Sequence, residues 1–196
     1  GSLACIYDTN TELSEKLSHK YNLPIFKLNK IFEDKNINGI VIASPAITHK
    51  DLAIQAIEND KDVLLEKPFC LTLPDAQKLS VLATKKNRIL MVGHLLNYHN
   101  AFIKMRELVK NGTIGVPQNI RANRLALGAI RSEESVIYDL SVHDISMILS
   151  ITEELPIDVS VQSVHHHNNN GPDAISVKLS FSKGITALIN TDWMCP

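Results

Sequence analysis

Cysteine is scarce in this chain. The three present, Cys5, Cys70 and Cys195, stand far apart with no metal-ligand spacing. Sparse, odd usage argues against a disulfide scaffold and leads to the expectation of reduced thiols in a cytoplasm. Net charge is nearly absent too, with 20 Lys and Arg against 21 Asp and Glu. That balance offers no electrostatic footing for nucleic acid or an anionic membrane surface. No apolar run is long enough to span a bilayer, and no stretch reads as a signal peptide. Internal repeats and long low-complexity tracts are lacking as well.

What is present is an ordinary globular composition, 44% hydrophobic over 196 residues, enough for one or two domains with a sizeable core. The most informative stretch is Val63-Leu64-Leu65-Glu66-Lys67-Pro68-Phe69. Three apolar residues read as a buried strand. Pro68 has no N–H and fixes its own φ, so it stops the strand and restricts Lys67 to extended conformations. Ligands of open parallel sheets sit outside the carboxyl ends of strands. Glu66 and Lys67 are therefore either an ordinary solvated pair closing a strand or a pair placed for chemistry.

The chain in order supports a parallel sheet. Leu3 to Tyr7 is a short apolar run, and Thr9 or Asn10 can cap a helix through Lys20. Pro24 to Phe26 predicts a short strand and Leu28 to Asp34 a short helix. Ile40 to Ala43, 63–66 and Ile89 to Val92 are continuous apolar runs, separated by helical spacing over 47–59 and from Pro74 to about Asn87. Alternation of this kind predicts a doubly wound α/β region with helices on both faces. Past residue 95 the pattern changes. Tyr98 to Asn111 and Val136 to Ile151 predict helices, and Gln118 to Leu127 a strand. Val159 to Val164, Ala174 to Phe181 and Gly184 to Thr191 alternate like antiparallel strands. The expected division is a partial dinucleotide-binding region, 1–95, and a partial α+β region for substrate and oligomerisation, 96–196. Both ends read as cut. The first run starts at residue 3 with no glycine-rich turn before it, and the last strand stops at Trp193, leaving open edges.

Four features line up: Asp8 at a strand end, Ser44-Pro45 with Thr48-His49, Glu66-Lys67-Pro68, and Asp139-Leu140-Ser141-Val142-His143-Asp144. Together with Gly93-His94-Leu95-Leu96-Asn97-Tyr98-His99, this resembles the Gfo/Idh/MocA family of nicotinamide-dependent oxidoreductases, in the branch acting on sugars and sugar nucleotides. The resemblance implies a Rossmann-type domain followed by an α+β domain with a largely antiparallel sheet. It places the glycine fingerprint before Gly1. Two positions depart from the pattern: Asn97 stands where relatives often carry arginine, and Asn100 where they often carry proline.

The resemblance also implies roles. Asp8 either caps the helix over 11–20 or accepts from ribose hydroxyls, and the resemblance favours the ribose. A carboxylate there repels a 2′-phosphate and no arginine stands beside it, so NAD is favoured over NADP. Ala43, Ser44 and Pro45 line the cofactor crevice. His49 either contacts the cofactor or caps the helix after it. Glu66 anchors a ribose or orients Lys67, whose ammonium stabilises developing alkoxide charge. Asp139 and His143, four apart on one expected helix, are a surface pair on local grounds alone. With Glu66-Lys67-Pro68 upstream, His143 becomes the base, and Asp139 either holds it or binds a substrate hydroxyl. Lys67 and His143 are expected to converge on one hydroxyl, and Asp144 to point elsewhere. His94, Tyr98 and His99 could line a substrate pocket, His94 foremost, or the last two could pack the following helix.

The expected activity is hydride transfer between a secondary hydroxyl of a sugar or sugar nucleotide and NAD. A non-catalytic sensor of the same fold is the alternative. A metal-dependent hydrolase using Asp139, His143 and His165 to His167 lacks a convincing third ligand. The His-Asn run before Gly171-Pro172 reads as a solvated hairpin end. The second region is expected to pack its sheet against its helices and leave a broad sheet face, and a homo-oligomer, dimer or tetramer, is expected.

Overall fold

The computed structural model describes residues 1–127, 134–165 and 171–195. The chain divides into two compact units, Gly1–Val92 and Gly93–Pro196.

In the first unit, helix α1 (Thr11–Tyr21) begins at Asn10, whose side chain accepts from the Leu13 N–H at 3.0 Å. A short α2 (Leu28–Glu33) follows. The two short apolar runs beside these helices, read as strands, meet in one parallel bridge, Ile6 to Ile25. Pro24 contributes a carbonyl to Ile6 but has no N–H of its own, which limits any ladder there. The regular sheet comes next: β1 (Gly39–Ile42), α3 (Ala46–Glu58), β2 (Asp62–Leu65), α4 (Leu73–Lys86) and β3 (Leu90–Val92). Thr72 caps α4 by accepting from the Asp75 N–H, and Pro74 sits in the first turn, where a missing N–H costs nothing.

The strands run parallel in the order β1-β2-β3. Crossovers of one hand stepping in one direction put α3 and α4 on the same face, and the two helices pack together. Ile42, Val63 and Leu65 point to that face and bury against Ala53, Ala56 and Ile57 of α3 and Leu79 and Ala83 of α4. The intervening residues Val41, Leu64 and Met91 share one register row on the opposite face and are 64%, 39% and 40% exposed.

The second unit opens with a tight 3₁₀ turn, Leu95–Tyr98, and α5 (Asn100–Lys110). After β4 (Asn119–Leu125), the helix expected over 136–151 is in fact two pieces. A π-wound segment, Ile137–Ser141, runs into α6 (Val142–Thr152). Buried pairs one π turn apart lie along this stretch. Val136 to Ser141 and Asp139 to Asp144 are each five apart, one π turn. Asp144, Ile148 and Thr152 then step by four. At its start, Gly171 lies against this helix with φ +151°, and a Cβ there would stand 2.4 Å from the Ser135 Cβ, so only glycine fits.

Strands β5 (Asp158–Val164), β6 (Ala174–Ser180) and β7 (Thr186–Asp192) complete a sheet of order β4-β7-β6-β5. The β4–β7 pair is parallel and the other two pairs are antiparallel. Ile175, Val177 and Leu179 of β6 with Ala187 and Ile189 of β7 bury against Val136 and Ile148. The opposite face is mostly polar, with exposed Leu125 and Leu188 among its hydrogen-bonding residues. Ser176 donates to Asn190, and Asn190 donates to Asn123, each at 2.8 Å. The broad sheet face on which an oligomer was expected thus carries a hydrogen-bonded ladder. On edge strand β5, Val159 and Val161 remain 54% and 52% exposed. Residues 166–170, most of the His-Asn run, lie outside the described residues.

Candidate active site

The carboxyl ends of β1 and β2 are level, because Ile42 pairs with Leu65 and the Glu66 N–H donates to the Ile42 carbonyl at 2.9 Å. Ala43-Ser44-Pro45 and Glu66-Lys67-Pro68 therefore leave the sheet side by side. The Lys67–Pro68 peptide is cis. Glu66 accepts from the Lys67 N–H at 3.3 Å, and both side chains are partly accessible. The Thr48 hydroxyl donates to the Pro45 carbonyl at 2.8 Å, which uses its one proton. Its 2.6 Å contact with Ser44 is then donated by Ser44, whose lone pairs stay open as acceptors.

His49 is buried, 1% exposed, in the first turn of α3. Its Nδ1 lies 2.8 Å from the Pro68 carbonyl and its Nε2 2.9 Å from the Ser44 carbonyl. Carbonyl oxygens only accept, so the ring nitrogen that carries the N–H donates to the carbonyl it faces. The imidazole nitrogens are thus occupied by main chain, and the ring bridges two turns. Asp8 is exposed and accepts from the Asn10 N–H at 2.8 Å. The capping position of α1 belongs to Asn10, so the carboxylate of Asp8 sits just outside the helix.

In the second unit, polar links among the described residues tie the π segment and α6 to the sheet. The Trp193 indole donates to Asp139 Oδ2 at 3.1 Å, and Ser141 donates to Thr191 at 2.8 Å. Arg124 of β4 engages both carboxylate oxygens of Asp144. Asp139 is therefore turned toward the sheet, on a segment wound differently from the α-helix carrying half-buried His143. Asp144, beside His143, points to Arg124. Arg124, Trp193, Thr191 and Ser141 were not among the residues singled out by sequence, since nothing in their local spacing marks partners 20 to 54 positions away.

His94 is half-buried, and burial holds its pKa below the ordinary histidine value. Among the described residues its Nδ1 meets no hydrogen-bond partner. Tyr98 is 61% exposed at the end of the 3₁₀ turn, and His99 is exposed. The Asn97 amide lies between Ser146 and Ser150 of α6, at 3.4 Å from each hydroxyl. It joins the turn to the helix. Among the described residues, no three His, Cys, Asp or Glu side chains gather as a metal-ligand set.

Residues 2–94 match the oxidoreductase family with an NAD-binding Rossmann fold, and residues 102–196 match the Gfo/Idh/MocA C-terminal domain. Myo-inositol 2-dehydrogenase of Thermotoga maritima is 30% identical over 93% of this chain and 57% of its own length. UDP-N-acetylglucosamine 3-dehydrogenase of Acidithiobacillus ferrooxidans is 29% identical over 83% of this chain and 50% of its own. A crystal form of that enzyme superposes with a TM-score of 0.86 at 26% identity, over 97% of this chain and 61% of that one. GenD2 from gentamicin A biosynthesis, in complex with NAD, shares the fold with a TM-score of 0.90 at 22% identity, over 100% of this chain and 59% of that one. The chain thus spans about half the length of the curated relatives it matches.

Proposed function

Because the chain belongs to the Gfo/Idh/MocA family of oxidoreductases, we propose that it transfers a hydride between a secondary hydroxyl of a sugar, cyclitol or sugar nucleotide and NAD. The observation that carries this reading is the level pair of turns at the carboxyl edge of the first sheet, with Lys67 in one and Ser44 in the other. That edge is where open α/β sheets bind ligands. The names of the two relatives, myo-inositol and UDP-N-acetylglucosamine dehydrogenases, support the substrate class, since both compounds carry secondary ring hydroxyls.

The residues present fit a dinucleotide. Asp8 offers an exposed carboxylate and Ser44 open lone pairs, both suited to ribose hydroxyls. Ala43, Pro45 and Glu66 would complete the contact. When bound, the nicotinamide accepts or returns the hydride. Lys67 donates a hydrogen bond to the reacting oxygen and stabilises its developing negative charge. His143 takes the hydroxyl proton as base. Asp139, held by the Trp193 indole, supports the segment from which α6 presents that histidine. His94, whose burial favours the neutral ring, and Tyr98 contribute to substrate binding.

A homo-oligomer, dimer or tetramer, built on the open face of the second sheet would rest on its hydrogen-bonding residues. The free Cys5, Cys70 and Cys195 support a reducing compartment such as the cytoplasm. Among the described residues, no helix is long and apolar enough to cross a membrane. The test of function is the intact protein mixed with NAD and a panel of inositols, sugars and sugar nucleotides, watched for NADH absorbance. Tight NAD binding with no turnover on any of them would favour the sensing role instead.

A further inference from the structure

We propose that His49 is a positioning residue of the cofactor edge, a clamp that fixes the turn after β1 against the turn after β2. The inference rests on the reading of that edge as the dinucleotide site. The main-chain ladder between the two strands reaches the Glu66 N–H to Ile42 carbonyl bond. Beyond it, the imidazole links the carbonyl of Ser44 to the carbonyl of Pro68, at 2.9 and 2.8 Å. These carbonyls belong to the two segments that carry Ser44 on one side and Glu66 and Lys67 on the other. The ring does not meet the ligand through its nitrogens, because both are occupied. It sets the spacing of the groups that do.

Its position explains why a histidine stands here. His49 lies in the first turn of α3, five residues after Ser44, so the helix start returns it beneath the turn it follows. From there one planar ring with nitrogens on opposite edges reaches both carbonyls. An apolar side chain could fill the volume, but it would remove the polar ring contacts that both main-chain carbonyls make here. An asparagine amide nitrogen stands in for Nδ1 and a glutamine amide nitrogen for Nε2, so each keeps one of the two links.

The experiment compares His49→Leu, His49→Asn and His49→Gln in the intact protein, reading NAD affinity by calorimetry, melting temperature, and hydrogen exchange of segments 43–48 and 66–71. The expected result is a roughly tenfold loss of NAD affinity in His49→Leu, the size of one to two net hydrogen bonds. Both segments should exchange faster in that variant. His49→Asn and His49→Gln should recover part of the affinity. Recovery without a matching rise in melting temperature separates positioning from general stabilisation. Unchanged affinity in all three variants, or affinity that only tracks melting temperature, overturns the proposal. If the unsubstituted protein binds no NAD, the functional reading fails. Exchange then decides the clamp alone: faster exchange of both segments in His49→Leu, reduced in His49→Gln, upholds it, and unchanged exchange overturns it.

Discussion

Arg124 on β4 and Asp144 on α6 meet in a two-point ion pair, Nε to Oδ2 at 2.8 Å and Nη2 to Oδ1 at 2.9 Å. The planar fork matches the carboxylate and so fixes orientation as well as distance. Asp144 adjoins His143, so the pair sets where the helix presents that imidazole. Asp144→Asn should cost about 3 kcal/mol of stability, the low end for breaking a buried pair, since Arg124 is 30% exposed. Arg124→Lys keeps the charge but loses the fork and should fall between. Urea unfolding of the variants checks the order, and equal midpoints would remove the anchor.

The proposed base and its charged helper are separable by kinetics. His143→Ala should lower turnover by about 10²–10⁴-fold, the usual size of a general-base contribution, with NAD affinity little changed. Lys67→Ala should lower turnover and also weaken substrate binding by removing a charge-assisted hydrogen bond. Steady-state kinetics beside calorimetry distinguishes the two, and a His143→Ala enzyme with full turnover would leave that histidine no part as base.

Cofactor preference should follow Asp8. Its replacement by alanine removes a ribose acceptor and also the repulsion of a 2′-phosphate. NAD binding should weaken more than NADP binding, measured by calorimetry on the intact protein. Equal affinities before and after would assign Asp8 to the local turn that it makes with Asn10.

His94 predicts a pH dependence with a definite sign. Burial lowers its pKa in the folded protein. As pH falls through the ordinary histidine value, about 6.5, the unfolded chain gains a proton that the folded chain resists. The contribution to stability is therefore fully present above that value and is lost toward acid. Stability measured from pH 7 down to 5 should fall more steeply for the unsubstituted protein than for His94→Gln. Parallel curves would show that His94 titrates alike in both states.

The parallel strands were legible because each is an apolar run closed by a proline or glycine signal, as at Ser44-Pro45 and Lys67-Pro68. Helix α1 was legible through its Asn10 cap. The π segment was not, because one extra residue within a turn leaves the spacing of apolar positions close to that of an ordinary helix. The parallel pairing of β4 with β7 joins residues more than sixty positions apart, and local alternation carries no register between strands. His49 stood out by type, but its two carbonyl partners are set by packing of the helix beneath the strand ends.

The π segment also bears on which changes at the sequence level this region can absorb. Ile137–Ser141 holds, in effect, one spare residue. Removing it would let the winding run on as an ordinary α-helix, with a gain in local regularity. Five residues of π winding turn through about the same angle as four of α winding, so the same deletion would leave Val136 upstream close to its phase in the core, whereas a deletion within the regular α6 would turn one flank by roughly a third of a turn. Point substitutions on the exposed side of this helix leave that phase untouched, and the π segment is the place here where a single-codon deletion could be absorbed without turning the buried face away from the sheet.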